Sequence, residues 1–158
     1  MLDFDSPFHD HATAPRGHGA LPAGGYAGAA GGSACGDLIT FGLACDDGFV
    51  VAAGFEAEGC AALTAAASAL VTLVTGTDLV AAARIGRDEI AELLGGLSAE
   101  RLHAAVLAEE ALHRALGSCL EDPATSIPGP QDRDRVLVAV SGGPGRRRRR
   151  ARAGPGAG

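Results

Sequence analysis

The clearest pattern along the chain begins at residue 37. In 37–57, DLITFGLACDDGFVVAAGFEA, the large apolar residues Ile39, Phe41 and Leu43 alternate with smaller or polar neighbours. A period of two gives a strand with one buried face. Asp46-Asp47-Gly48 supplies the turn that folds the segment into a β-hairpin. Cys45 continues the Ile39–Phe41–Leu43 face and reads as buried and inert. The alternation stops at residue 60. CAALTAAASALVTLVT, 60–75, predicts a helix closed by Gly76. A shorter helix is expected over 78–84, ending near Gly86, and a third over 87–94, ending at Gly95-Gly96. Ser98 then reads as an N-cap, with Glu100 in the first turn to complement the helix dipole. The helix it opens, AERLHAAVLAEEALHRALGSC, is the longest predicted, and Leu102, Val106, Leu112 and Leu116 supply much of its apolar side.

The flanks lack this order. Residues 1–34 are rich in His, Pro, Gly and Ala and predict an irregular lead-in with room for one short strand before Cys35. Residues 120–134 read as a Pro- and Asp-containing linker, and 135–158 as one strand followed by a disordered Arg/Gly/Pro tail. The expected core is therefore 35–119. Its class is α+β, with a small antiparallel sheet (a hairpin plus a short strand) packed against several helices.

Composition changes this picture modestly. Hydrophobic residues are 47% of the 158 and aromatics only 4%, so the core must be built from Ala, Val, Leu and Ile. A chain of this length can bury such a core without disulfide staples. The net charge of −6 hides an asymmetry: residues 1–140 hold 7 Arg against 19 acids, a formal −12, while six Arg crowd residues 146–152. An acidic body argues against nucleic-acid binding by the core domain. The acidic start, MLDFDSPFHDH, lacks the pattern of a signal peptide, and no apolar run reaches the ~20 residues needed to span a bilayer. The expected location is cytoplasmic, where the four cysteines, 35, 45, 60 and 119, are ligands, nucleophiles or core fillers rather than disulfides.

Three short segments carry chemistry: Cys35-Gly36-Asp37 before the hairpin, Gly59-Cys60 at the start of the first long helix, and Leu102-His103-Ala104 in the last helix. A two-stranded hairpin returns the chain to where it left, which can bring Cys60 beside Cys35 and Asp37. Cys60 opens a helix, where the positive end of the dipole favours an anion. Two thiolates, a carboxylate and an imidazole make a reasonable tetrahedral zinc shell, and thiolates also suit iron–sulfur clusters. Taken singly, each residue has a plainer reading: Cys35 and Cys60 as core fillers, Asp37 as a strand or turn opener, His103 as a surface residue.

The order of the motifs adds to this. CGD, a hairpin, GC opening a helix, and a His in the closing helix together resemble the scaffolds of the IscU/NifU type, SufU-like relatives included, across roughly residues 9–118. His11 to Gly17, HATAPRG, is similar to that family's H…NPRN segment. Gly59-Cys60-Ala61-Ala62 and the Ala/Ser-rich helix after it resemble the GC…AS.S segment, Gly76-Thr77 the GKT segment without its Lys, and Leu107–Leu112 the LAEDAL segment. The resemblance implies an IscU/SufU-like fold and a non-enzymatic scaffold for iron–sulfur cluster assembly, with Cys35, Asp37, Cys60 and His103 as metal ligands and Cys35 or Cys60 as persulfide acceptor. It implies a [2Fe–2S] cluster or iron as the group held, a cysteine desulfurase as sulfur donor, and iron–sulfur acceptor proteins as partners. The family's third cysteine, directly after the His, is here Ala104. That departure weighs against a cluster-building scaffold and equally against a second reading, a zinc-dependent sulfur relay serving a tRNA-thiolation enzyme, which the segment after residue 134 favours; a third reading is a degenerate scaffold acting only as an interaction domain.

RVLVAVSGG, 135–143, resembles the strand and opening turn of the PP-loop in tRNA 2-thiouridylases. Pro144, Gly145 and Arg146 do not continue that motif. The expectation is a cut-short fusion to such an enzyme, with no ATP chemistry in this chain.

Overall fold

The computed structural model describes residues 6–32 and 36–125. Cys35 and the segment 126–158, which includes the linker's end, the expected strand at 135–143 and the Arg-rich tail, lie outside the described residues.

The element order is α1 (Pro7–Thr13), β1 (Tyr26–Gly31), β2 (Leu38–Asp46), β3 (Phe49–Glu58), α2 (Ala61–Val74), α3 (Leu79–Ala83), α4 (Arg87–Leu93) and α5 (Ala99–Glu121). The three strands form an antiparallel meander in the order β1-β2-β3. The expected hairpin is present, with Leu38 opposite Glu58 and Phe41 opposite Phe55. Its turn places Asp47 and Gly48 at φ 50° and 80°. Both values lie in the left-handed region that a tight hairpin turn requires and that Asp and Gly tolerate.

The four predicted helices also form, each within a residue or two of its expected bounds. Ser98 occupies the N-cap position of α5, although its side chain makes no capping bond. The lead-in departs from the expectation. Residues 7–13, which composition marks as irregular, form α1, capped by the Ser6 side chain accepting from the His9 N–H, with Pro7 in the first turn. Pro suits that position because its missing N–H would have no partner there.

One face of the sheet is buried by helices. Ile39, Phe41, Leu43, Val50 and Phe55 are fully buried, together with Leu63, Leu70, Val74 and Leu112. α2 is buried nearly all round, with ten of its fourteen residues inside, which explains why its sequence lacks a polar stripe. The Ala-rich composition allows close approach. A Cβ on Gly28 of β1 would lie 2.5 Å from the Ala115 nitrogen and 2.6 Å from the Arg114 Cβ, so α5 rests directly on the strand backbone. Arg114 fastens the same contact by donating to the Ala29 carbonyl.

α1 is held from a distance. The His11 ring nitrogen Nδ1 lies 2.7 Å from the Ser68 hydroxyl on α2, and the Arg16 N–H donates to the same oxygen at 2.8 Å. Both His11 and Ser68 are buried. Burial, assisted by the Arg16 charge, pushes the His11 pKa below its ordinary value.

Candidate metal-binding site

Antiparallel pairing brings the start of β2 and the end of β3 to the same edge of the molecule. Asp37 precedes β2, Gly59 follows β3, and Cys60 is the N-cap of α2. The Asp37 carboxylate reaches across this junction. Its Oδ1 accepts from the Cys60 N–H at 3.1 Å, and its Oδ2 lies 3.8 Å from the Cys60 sulfur. The carboxylate thus supplies the capping acceptor that the Cys60 side chain does not, since Cys60 makes no side-chain cap. It also places a negative group at the positive end of the helix dipole.

Gly59 makes this close approach possible. Its φ is 143°, and a Cβ there would overlap the Asp37 carboxylate and lie 3.1 Å from the Asp37 Cα. Only glycine leaves that space and adopts that backbone at low cost. Gly36, on the other side of Asp37, also has positive φ, at 73°. A hollow of about 240 Å³ opens at the same end of the hairpin, lined by Leu38, Thr40, Glu56, Ala57 and Glu58. The Cys60 side chain is exposed, so a group brought by a partner can reach it.

The expected ligands are therefore placed unevenly. Asp37 and Cys60 are brought together. Cys35 lies outside the described residues. His103 is exposed on α5, while Ala104 beside it is buried at 2% exposure. Among the described residues, no three His, Cys, Asp or Glu side chains are grouped as a metal shell. The donor chemistry of the pair still suits iron: a thiolate and a carboxylate offer one soft and one hard anionic ligand within a few ångströms. Gly59 is singled out in the sequence only as the neighbour of a helix-opening cysteine; its role in admitting the Asp37 carboxylate shows only in the folded junction.

The other described cysteines lie elsewhere. Cys45 is only half-buried, not fully buried as its place on the Ile39–Phe41–Leu43 face predicts; the pairing of β2 with β3 shifts register between Ala44 and Cys45 and resumes with Cys45 opposite Val50, beside the hairpin turn. Its sulfur lies 3.1 Å from that of Cys119, in the last turn of α5. Burial and the hydrogen bond with Cys119 push the Cys45 thiol up to about 12.

The chain resembles known proteins along most of its described length. The family described as "NifU-like N terminal domain" matches residues 5–124. "Iron-sulfur cluster assembly scaffold protein IscU 1" of Archaeoglobus fulgidus is 36% identical over 107 residues, covering 68% of this chain and 70% of that protein. "Bifunctional protein NifU/MnmA" of Rubrobacter xylanophilus is 42% identical over 108 residues, covering 67% of this chain but only 22% of that longer protein. Among solved structures, a putative iron-sulfur cluster assembly scaffold protein for the SUF system, from Fervidobacterium islandicum AW-1, shares the fold at a TM-score of 0.58. That likeness covers 73% of this chain and 96% of that one, at 16% identity. A hypothetical protein solved at 2.3 Å resolution has a TM-score of 0.59 at 24% identity, covering 70% of this chain and 94% of that one. The small antiparallel sheet packed against helices is the fold these two structures share with the chain. No helix among the described residues is long and apolar enough to cross a membrane. The chain belongs to the IscU/NifU family of iron–sulfur cluster assembly scaffolds, whose members act as scaffolds and not as catalysts.

Proposed function

We propose that the chain receives iron, or a nascent [2Fe–2S] cluster, as cargo at the Asp37–Cys60 end of the molecule and passes it to acceptor proteins. The observation that carries this reading is the carboxylate of Asp37 docked against Cys60 at the N-terminus of α2, in a space that Gly59 leaves open. Cys35 and His103 complete the donor set in this proposal.

Each residue has a task set by its chemistry. Cys60 supplies a soft thiolate, exposed and so open to a partner. A cysteine desulfurase delivers sulfur as a persulfide, and Cys35 or Cys60 accepts it by thiolate attack on the outer sulfur, leaving the donor cysteine as thiol. Asp37 is the weaker ligand to iron, because a carboxylate binds a thiophilic metal less tightly than a thiolate does. Its bond to the Cys60 N–H gives the carboxylate a resting partner when cargo leaves. The ligand that dissociates first is therefore Asp37, and release begins there.

Anaerobic reconstitution with ferric iron and sulfide, followed by visible spectroscopy and incubation with an apo-ferredoxin, tests the reading. Cluster absorption bands that move to the acceptor are the expected result. A colourless protein that instead keeps one zinc per chain, and transfers sulfane sulfur, would overturn it in favour of the zinc relay.

A further inference from the structure

Cys45 and Cys119 take no part in the site above. Cys45 sits eight residues along β2 from Asp37, about 25 Å at the rise of a strand. It nevertheless has a built environment. The two sulfurs, 74 residues apart in sequence, lie at 3.1 Å, and the Thr125 hydroxyl approaches the Cys119 sulfur at 3.7 Å. Cys119 is fully buried, while Cys45 is only partly buried. Nearby, the Tyr26 hydroxyl donates to the Asp122 carboxylate at 2.5 Å, tying the end of α5 to β1. A disulfide has a sulfur–sulfur bond of about 2.05 Å, so closing this gap asks each sulfur to move by only about half an ångström.

We infer that Cys45 and Cys119 form a two-electron redox site, oxidised by a low-molecular-weight disulfide, whose internal disulfide fastens the last turn of α5 to β2. The more accessible member reacts first. The Cys45 thiolate attacks one sulfur of the small disulfide, forms a mixed disulfide and expels one thiolate. Cys119 then loses its proton and attacks the Cys45 sulfur, closing the internal bond and expelling the second thiolate. The protein dithiol loses two electrons, the small disulfide gains them, and the two released thiolates take up the two protons. The high pKa of Cys45 keeps its thiolate scarce at neutral pH, so exchange is slow there and accelerates in mild alkali.

The reaction can be isolated in a Cys35→Ser/Cys60→Ser variant of the full chain, which retains only Cys45 and Cys119. Incubation with oxidised glutathione at mildly alkaline pH, then alkylation and intact-mass analysis, gives the readout. The expected product is lighter by two hydrogens, carries no alkyl group, and melts roughly 5–15 °C higher than its reduced form, a gain reversed by dithiothreitol. A stable glutathione adduct on one cysteine with the other alkylated would overturn the inference. So would full alkylation of both after exposure that oxidises an unfolded control. Should the variant fail to fold, the native chain serves as well. Cleavage at Asp37, Asp46 and Glu56 separates Cys35, Cys45 and Cys60, and a cross-link of the Cys119 peptide to any but the Cys45 peptide refutes the pairing.

Discussion

The most informative perturbation of the site is Gly59→Ala. The new methyl would lie 2.9 Å from the Asp37 Cγ and overlap its Oδ1, so the carboxylate must leave the Cys60 N–H. Two costs follow. Holding a non-glycine residue at positive φ costs about 1–2 kcal/mol. The lost charge-assisted hydrogen bond is solvent-exposed, which discounts it to about 1 kcal/mol. The total is about 2–3 kcal/mol, and for a domain of this size that lowers the Tm by roughly 8–15 °C. Asp37→Ala loses the same bond without the backbone strain, so it should cost only about 1 kcal/mol. The double variant loses that bond once, not twice. It should therefore unfold like Gly59→Ala alone, falling about 1 kcal/mol short of the sum of the single effects. Urea unfolding of the four proteins measures this directly. Costs that add to within about 0.3 kcal/mol would refute the claim that Gly59 exists to admit the Asp37 carboxylate.

Three further outcomes are expected. Ser68→Ala removes the shared partner of the His11 ring and the Arg16 N–H inside the core, and should cost about 2–3 kcal/mol in urea unfolding. The His11 pKa is depressed in the folded state, so its contribution is present above its unfolded value of 6.5 and is lost as pH falls through the lowered folded value. Melting curves taken from pH 8 down to 5 should show stability declining below about 6.5, by at most ~1.4 kcal/mol per pH unit for this one group, and His11→Gln should flatten that decline. Ala104→Cys places a thiol beside His103 at a position only 2% exposed, and the IscU/NifU resemblance has a cysteine there. It should raise the cluster retained after reconstitution several-fold over the parent, read from visible absorbance per iron.

Much of this architecture was legible in the sequence because local signals and tertiary demand agreed. The Ile39–Phe41–Leu43 alternation ended at a turn whose Asp47 and Gly48 tolerate positive φ, so strand, turn and buried face all pointed the same way. The helix ends were marked by Gly76, Gly86 and the Gly95-Gly96 pair. α1 was not legible from composition, since seven residues that include two His, with Pro15 and Gly17 soon after them, show no helical stripe. Its start signal, Ser6-Pro7 with Asp10 in the first turn, was present but short. α1 is held by Phe8 and Ala12 packed on the core and by His11 on Ser68, 57 residues away, and local pattern carries no trace of such a bond. The same distance blindness hid the Cys45–Cys119 contact. Cys45 was expected to be fully buried on the inward side of β2; it packs against the core but stays partly exposed, next to a register shift that depends on the partner strand. The Asp37–Cys60 pairing was foreseeable because a hairpin returns to its origin. The carboxylate's docking on the Cys60 N–H and the need for Gly59 emerged only from the folded junction.

The central claim is that Asp37 and Cys60 hold the iron cargo. Iron K-edge absorption spectroscopy on the chain loaded with ferrous iron alone, without sulfide, tests it most directly, because every sulfur in the first shell must then come from a cysteine. The account predicts mixed sulfur and oxygen or nitrogen scattering in the native chain, with one sulfur lost in Cys60→Ser and one oxygen lost in Asp37→Ala. An unchanged first shell in both variants would contradict it.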